Sequence, residues 1–193
     1  MAYVPKILAF AGSLRAQSYN KKLVKIAAAA AKAAGAEVTY IDLRDYTLPV
    51  FDEDLEKQDG LHPNARKLKD LFLSHQGLLI AAPEYNSSIT AVLKNTIDWV
   101  SRPVAGEGPL QCYDGKVATL MSASPGALGG LRGLVAVRYI LGNIKVTVLP
   151  DQVAIAKAHE AMTEDGSLKD AAQKASIEKL GTTLANTLKK LNA

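Results

Sequence analysis

The sequence is poor in the features that mark secreted, membrane-spanning and thiolate-ligated proteins. Its one cysteine, Cys112, excludes an intramolecular disulfide and a metal site built from several cysteines. No apolar run approaches the roughly 20 residues that a membrane-spanning helix needs. The stretch Met1–Phe10 has one lysine and a very short apolar run, so we expect no signal peptide and a cytoplasmic protein. No two of His62, His75 and His159 have metal-ligand spacing.

Charge is also not concentrated in any one segment. The formal net charge is +4 and the sequence pI is about 9.1, yet no long basic run occurs, which disfavours a nucleic-acid binder. Mild basicity suits anionic small molecules such as nucleotides, and it disfavours an acidic electron carrier. With 48% hydrophobic and 22% charged residues, the 193-residue chain has an ordinary globular composition. We expect one domain over residues 1–193.

Strand-like and helix-like segments alternate along the chain. The predicted strands are Lys6–Phe10, Glu37–Leu43, Gly77–Ala82, Lys116–Ser122 and Lys145–Leu149, the last resuming at Val153. The predicted helices are Lys21–Ala34, Asn64–Ser74, Thr90–Val100, Leu131–Leu141 and Leu168–Leu191, with loops at Asp45–Pro63 and Arg102–Gly115. This alternation predicts an α/β fold, a flavodoxin-like three-layer sandwich around a five-stranded parallel sheet of order 2-1-3-4-5.

In that order a ligand binds beyond the carboxyl ends of the strands, where strands one and three meet. The loop there is Gly12–Asn20, which opens the first helix. A helix N-terminus attracts anions. The hydroxyls of Ser13 and Ser18 can donate hydrogen bonds to phosphate oxygens, and the guanidinium of Arg15 can donate charged hydrogen bonds to them. These features predict a site for a phosphate monoester. The alternative is that Ser18 or Asn20 only caps the helix.

The loop after the third strand, Pro83–Thr90, has a different chemistry. Tyr85 can pack against a flat ring, and Asn86 can hydrogen-bond to ring heteroatoms. A simple β-turn with Thr90 as helix cap is the alternative. For Glu84 we favour a structural role over that of a catalytic base.

The loop after the fourth strand, Ser122–Gly130, is rich in small residues that let a ligand approach the backbone. An ordinary flexible turn is the alternative.

Two single residues outside these loops have plain interpretations. Trp99 is expected in the core or at an interface rather than against a ligand. Cys112 lies in a loop rich in glycine and proline, which is compatible with an exposed, incidental thiol.

Taken together, these stretches resemble the NADPH-dependent FMN reductase family, which includes flavin, quinone, azo-dye and chromate reductases. The resemblance covers about Lys6–Leu141 and lies in Gly12–Arg15 with Ser18 and Asn20, Pro83–Asn86, Leu93–Trp99 with Ser101–Pro103, Ser122–Gly126, and Leu48–Pro49 followed by Asp52–Asp54. Each motif is weak alone, and their order and loop placement make the set specific.

The resemblance implies a cofactor-binding site for FMN. The phosphate would lie on Ser13, Arg15, Ser18 and Asn20, with Tyr19 in the same loop; the ribityl chain and ring would lie on Pro83, Glu84, Tyr85 and Asn86; and the far side of the ring would lie on Ser122, Ser124, Pro125 and Gly126. In the family, a glycine and a proline often occur around Ser87–Ala91, where this chain has Ser87, Ser88, Thr90 and Ala91.

The resemblance also implies the reaction. A hydride would pass from NADPH or NADH to the flavin, and two electrons would then pass to a quinone, free flavin, azo compound or metal oxyanion in a ping-pong cycle without a general acid or base. Arg102 and Arg132 are candidates for a 2′-phosphate contact. A homodimer or homotetramer would be expected, with contacts through the third helix and the loops Asp45–Pro63 and Arg102–Gly115.

Two other functions stay open: an electron carrier of the same fold that does not oxidise NAD(P)H, and a partner-binding module without cofactor. A receiver domain is excluded, because the first strand ends in Ala11–Ser13 rather than in acidic residues.

Overall fold

A computed structural model describes residues 3–192, which fold around one parallel sheet. The strands are β1 (Lys6–Ala11), β2 (Glu37–Tyr40), β3 (Gly77–Ala81), β4 (Glu84–Tyr85), β5 (Ser88–Ile89), β6 (Val117–Ala123) and β7 (Thr147–Ile155). The helices are α1 (Tyr19–Ala33), α2 (Glu53–Asp59), α3 (Pro63–Ser74), α4 (Ala91–Val100), α5 (Leu131–Asn143), α6 (Ala158–Ala161) and α7 (Ala171–Leu191), with a 3-10 turn at Leu43–Asp45.

The main sheet has the order β2-β1-β3-β6-β7, and all its neighbouring strands are parallel. Counted along the chain within this sheet, that is the predicted order 2-1-3-4-5, so the predicted flavodoxin-like architecture is confirmed. The carboxyl ends of β1, β3 and β6 therefore lie side by side at one edge of the sheet. Strands β4 and β5 form a separate antiparallel hairpin.

Both faces of the sheet are covered, because its central strands are apolar on both sides. Residues Ile7 and Ala9 of β1 face α1 and α7, whereas Leu8 and Phe10 face α3, α4 and α5. Two apolar cores result, one on each side of the sheet.

The contact between α1 and α7 is the tightest helix pair. Gly181 of α7 lies so close to α1 that an added Cβ would collide with the backbone oxygen of Ala27. The alanine run of α1 permits this approach, since Ala27 and Ala31 are fully buried there without filling the interface.

Several predicted bounds differ from the structure. The second strand, predicted to reach Leu43, ends at Tyr40, because the Asp42 carboxylate accepts a hydrogen bond from the Arg44 amide (3.0 Å) and starts a 3-10 turn. The predicted loop Asp45–Pro63 contains helix α2, which Asp52 caps.

At the C-terminal side, β7 is continuous rather than interrupted, and a register shift against β6 between Ala118 and Leu120 absorbs the irregularity. The last helix starts at Ala171 rather than Leu168, since the Asp170 carboxylate caps it through the Gln173 amide (2.8 Å).

The expectation of an exposed thiol at Cys112 is wrong. The side chain is fully buried among apolar residues, and its Sγ lies 3.2 Å from the Val100 carbonyl oxygen. Burial raises the pKa of this thiol, so it is less reactive than an ordinary cysteine.

Among residues 3–192, no helix combines the length and the apolar character needed to cross a membrane.

Candidate active site

Three loops meet at the carboxyl edge of the sheet: the β1–α1 loop (residues 12–18), the β3–α4 segment (residues 83–90), which contains the β4–β5 hairpin, and the β6–α5 loop (residues 124–130). Direct hydrogen bonds tie them together. The Thr90 hydroxyl donates to the Gly12 carbonyl oxygen (2.6 Å), which joins the second loop to the first. Within α1, Asn20 joins the first loop to β6. The edge is therefore one connected frame.

The β1–α1 loop supplies unused hydrogen-bond donors. Ser18 occupies the N-cap position of α1, but its side chain makes no capping hydrogen bond, and the first turn of α1 contains no acidic residue. The first N–H groups of a helix have no acceptor within the helix. Arg15 is exposed and forms no ion pair with any residue from 3 to 192. Hydroxyl, amide and guanidinium donors are the chemistry that a phosphate monoester requires.

The Asn20 side chain is hydrogen-bonded to the backbone of β6. Its Nδ2 donates to the Ala123 carbonyl oxygen (2.8 Å), and its Oδ1 accepts from the Ala123 amide (3.0 Å). The side chain is buried, and both ends of its amide are occupied by the backbone of β6. Asn20 thus fixes the start of α1 against β6.

The second loop forms a very short hairpin. Strands β4 and β5 pair through only two residues each, and the turn residues Asn86 and Ser87 both have positive φ, at 49° and 62°. Neither is a glycine, so the turn carries backbone strain. Tyr85 is 54% exposed on this hairpin and available to cover a flat ligand. Thr90 also accepts from the Leu93 amide (3.3 Å), and therefore it is the helix cap that the alternative interpretation named.

The Glu84 carboxylate is hydrogen-bonded to residues of helix α5. Its carboxylate accepts from Nε of Arg132 (2.8 Å), from a second guanidinium nitrogen of that residue, and from the Gly133 amide (3.2 Å). Burial raises the pKa of Glu84, but these donors outweigh burial and hold it below its usual value. An ionised carboxylate engaged in this way is not available as a general base.

The third loop places small residues at the surface. Ser124 accepts from the Gly126 amide through its hydroxyl (3.2 Å), and its carbonyl accepts from the Ala158 amide (3.0 Å). Gly126 is exposed, and a Cβ added to it would meet only that hydroxyl, at 3.6 Å, among residues 3–192. Ser122 is fully buried, and its Oγ has no partner among the same residues and faces Gly130.

The predicted site residues fall into three classes of exposure. Five are exposed: Arg15, Tyr85, Asn86, Pro125 and Gly126. Three are half-buried: Tyr19, Glu84 and Ser124. Five are buried: Ser13, Ser18, Asn20, Pro83 and Ser122. All thirteen lie in or next to the three loops, so the fold brings the whole predicted set to one edge.

Sequence reasoning missed a fixed segment beside the site. The indole Nε1 of Trp99 and Nδ2 of Asn95 both donate to the Pro49 carbonyl oxygen, each at 2.8 Å, and the Phe51 amide donates to Oδ1 of Asn95 (2.8 Å). Trp99 is buried, as predicted. These bonds hold the segment formed by residues 49–51 against α4. Beside it lies an apolar groove of about 420 Å³, and Leu14 of the β1–α1 loop is one of the residues that line it.

Both arginines proposed for a 2′-phosphate are already paired. Arg102 contacts Glu56, with Nε 2.8 Å from one carboxylate oxygen, and Arg132 contacts Glu84.

Among residues 3–192, no three histidine, cysteine or acidic side chains converge to hold a metal ion.

Comparison with known proteins decides the family. The family model described as NADPH-dependent FMN reductase matches residues 5–160. The chain belongs to the NADPH-dependent FMN reductase family. It is 34% identical over 166 residues to an NAD(P)H-dependent FMN reductase of Pseudomonas aeruginosa, covering 86% of this chain and 85% of that protein. It is 31% identical to a quinone reductase of Pseudomonas putida, covering 88% of each.

A solved structure agrees with this assignment. The flavoenzyme NAD(P)H:(acceptor) oxidoreductase FerB from Paracoccus denitrificans superposes with a TM-score of 0.77 at 26% identity, over 97% of this chain and 98% of that one. The predicted family, the fold, and the class of FMN-dependent NAD(P)H oxidoreductase are therefore confirmed.

Proposed function

We propose that this member of the NADPH-dependent FMN reductase family binds FMN across the three loops, as a single domain, and passes two electrons from NAD(P)H to a small acceptor. The acceptor classes are those expected from the sequence: a quinone, a free flavin, an azo compound or a metal oxyanion. The observation that carries the proposal is the set of unused donors at the start of α1, where Ser18 leaves the helix uncapped and Arg15 is unpaired among residues 3–192.

The donors of the β1–α1 loop would hold the phosphate of FMN. Ser13, Arg15 and Ser18 would act together with the first-turn amides of α1, whose positive end favours a dianion. Asn20 would contribute indirectly, because its hydrogen bonds to Ala123 fix where α1 begins. Tyr19, half-buried against the core, would support the same loop.

The other two loops would flank the ring system. Tyr85 and Asn86 would approach it from the hairpin, with Pro83 and Glu84 forming the buried base beneath. Ser124, Pro125 and Gly126 would lie along the far side, above the buried Ser122. Gly126 has no side chain, so the backbone there leaves room for a ring edge.

Bound FMN supplies the redox chemistry, accepting two electrons from NAD(P)H and giving them to the acceptor. The protein binds, orients and shields, and no side chain of the site is proposed as a general acid or base. Donor and acceptor would use one open site in turn, which is the basis for proposing ping-pong order. Tyr85, half-exposed on a strained turn, would set the packing distance for both.

The first test is an anaerobic absorbance titration of the FMN-reconstituted protein with NADPH and then with NADH. Bleaching of the visible flavin band on mixing supports the proposal, and the relative rates give the donor preference. Bound flavin that stays oxidised would favour the electron-carrier alternative. Failure to bind FMN would refute the proposal.

The second test addresses the phosphate contacts. Arg15→Gln is expected to weaken FMN binding by at least roughly tenfold, and Ser18→Ala by roughly three- to tenfold, the ordinary range for charged and neutral hydrogen bonds. Lys145→Gln is the matched control, because it removes one positive charge from an exposed site at the opposite edge of the sheet. Equal effects of Arg15→Gln and Lys145→Gln on FMN affinity would contradict the assigned contact.

We also propose that the chain forms a homodimer or homotetramer. The support is apolar surface next to the site: Val50 is 85% exposed and Leu14 is 52% exposed, and both line the groove described above. Light scattering after size-exclusion chromatography tests this proposal.

A cytoplasmic location stays a prediction, favoured by the single cysteine and by the need for NAD(P)H.

A further inference from the structure

The β4–β5 hairpin needs external support to hold its shape. Each strand has two residues, and an isolated hairpin of this size is at best marginally stable. Its turn adds strain, because Asn86 and Ser87 adopt positive φ without being glycine. Contacts with the rest of the protein must therefore stabilise the conformation that presents Tyr85.

Helix α5 provides most of that support through its first turn. The Glu84 side chain is only 8% exposed. One of its carboxylate oxygens accepts from two guanidinium nitrogens of Arg132, and the other accepts from the Gly133 amide. A Cβ added at Gly133 would lie 3.2 Å from Cβ of Glu84 and 3.2 Å from the Ser88 carbonyl oxygen. The helix thus packs directly on both strands of the hairpin.

The same helix directly follows the β6–α5 loop. Gly130, the N-cap residue of α5, lies close to Ser122 at the end of β6 and to Glu84. The Glu84 carboxylate consequently joins the hairpin to the first turn of α5, the helix that continues from the β6–α5 loop. A second cross-link, from Thr90 to Gly12, anchors the base of the hairpin, where Ile89 pairs with Glu84.

We propose that Glu84 is a positioning residue, whose ion pair with Arg132 and hydrogen bond from Gly133 set where the hairpin presents Tyr85 and Asn86 to the flavin. The inference rests on the proposed function, because the flavin is what the hairpin positions. Glu84 acts through the hairpin and touches neither donor nor acceptor. Arg132 has the matching role from the surface side, with its side chain 57% exposed.

Glu84→Gln and Arg132→Met test the link from its two ends. Glutamine keeps the shape of Glu84 but loses the charge and one of the two acceptor oxygens. Asp114→Asn is the matched control, because it neutralises the carboxylate of an exposed lysine pair (Asp114–Lys145, 3.0 Å) at the opposite edge of the sheet. Far-UV circular dichroism confirms that each variant is folded.

The first measurement is hydrogen exchange of FMN-free protein in peptides that cover residues 83–90. Exchange is expected to rise roughly tenfold in Glu84→Gln and Arg132→Met and to stay unchanged in Asp114→Asn. In the double variant the two increases should be clearly less than additive, since both changes act on one interaction. Unchanged exchange in the single variants would overturn the inference.

The second measurement uses FMN-saturated protein. Glu84→Gln should shift the visible flavin spectrum and the midpoint potential, and lower kcat/KM for the nicotinamide donor by roughly tenfold, with Arg132→Lys intermediate because lysine lacks the fork. A variant with faster exchange but wild-type spectrum, potential and kcat/KM would overturn the inference while leaving the proposed function intact. A wild-type protein that binds no FMN would instead overturn the proposed function.

Discussion

Lys116 is a buried ammonium group at the amino edge of the sheet, and its removal should change how stability depends on pH. Its side chain is 5% exposed, and its Nζ donates to the His75 carbonyl oxygen. Burial lowers its pKa from 10.5 to about 8, with a small opposing effect from Cys112. At 1.36 kcal/mol per pH unit, the difference between 10.5 and about 8 corresponds to about 3 kcal/mol of destabilisation of the charged form.

The direction follows from the protons bound in each state. Between about pH 8 and pH 10.5 the unfolded chain holds the Lys116 proton more tightly than the folded chain, so this group makes the protein more stable as pH rises through that window. Below about pH 8 the full penalty is present. His75 has the same sign in a lower window: burial lowers its pKa below 6.5, so stability from this group falls as pH drops through that region.

Lys116→Met removes the charge and keeps most of the volume. Near pH 7 the variant should gain up to about 3 kcal/mol from the lost penalty, less about 1 kcal/mol for the hydrogen bond to His75. Near pH 10 the wild-type penalty is largely relieved, so the difference between variant and wild type should shrink by about 2 kcal/mol.

Urea unfolding at a fixed saturating FMN concentration measures both proteins across this range. Lys145→Met serves as the control for loss of one lysine charge at the surface, since the Lys145 side chain is 53% exposed. A constant difference between Lys116→Met and wild type from about pH 7 to pH 10 would refute the reasoning, because it would mean that folding leaves the Lys116 pKa unchanged.

Two further substitutions test the frame of the site. Gly130→Ala should cost about 2 kcal/mol or more by thermal unfolding, because φ is +92° and the new Cβ would meet Ser122; Gly142→Ala, in the same helix with open space around it, should instead stabilise by about 0.5–1 kcal/mol. Asn20→Ala should cost about 2–4 kcal/mol in urea unfolding and weaken FMN binding, since it leaves the Ala123 amide and carbonyl without partners; unchanged FMN affinity would argue against the fixed start of α1 as a requirement for the site.

The sheet and its site edge were predictable because they depend on local patterns. A run such as Gly77–Ala82 is apolar at every position, which is typical of a strand covered on both faces, and alternation with helices leaves few sheet orders. Once the order is fixed, the loops that follow β1, β3 and β6 must meet at one edge. The placement of Arg15, Tyr85 and Gly126 there needed no information about side-chain contacts.

What could not be predicted depends on contacts between distant residues. The local sequence around Asn20 is compatible with a cap or a phosphate ligand, and only the proximity of Ala123 reveals its partner. Cys112 sits among glycines and prolines, yet the fold buries it beside Val100. Glu84 likewise shows no local sign of its ion pair with Arg132, because 48 positions separate the two residues.

The tight contact between α1 and α7 bears on the order of events during synthesis. Helix α1 emerges from the ribosome well before α7, which is the last helix among residues 3–192. Until α7 arrives, α1 is held by the sheet alone, and the part of its surface around Ala27 and Ala31 that packs on Gly181 stays uncovered. We therefore expect a nascent chain to acquire flavin affinity only after α7 has been released, rather than when its three loops first exist.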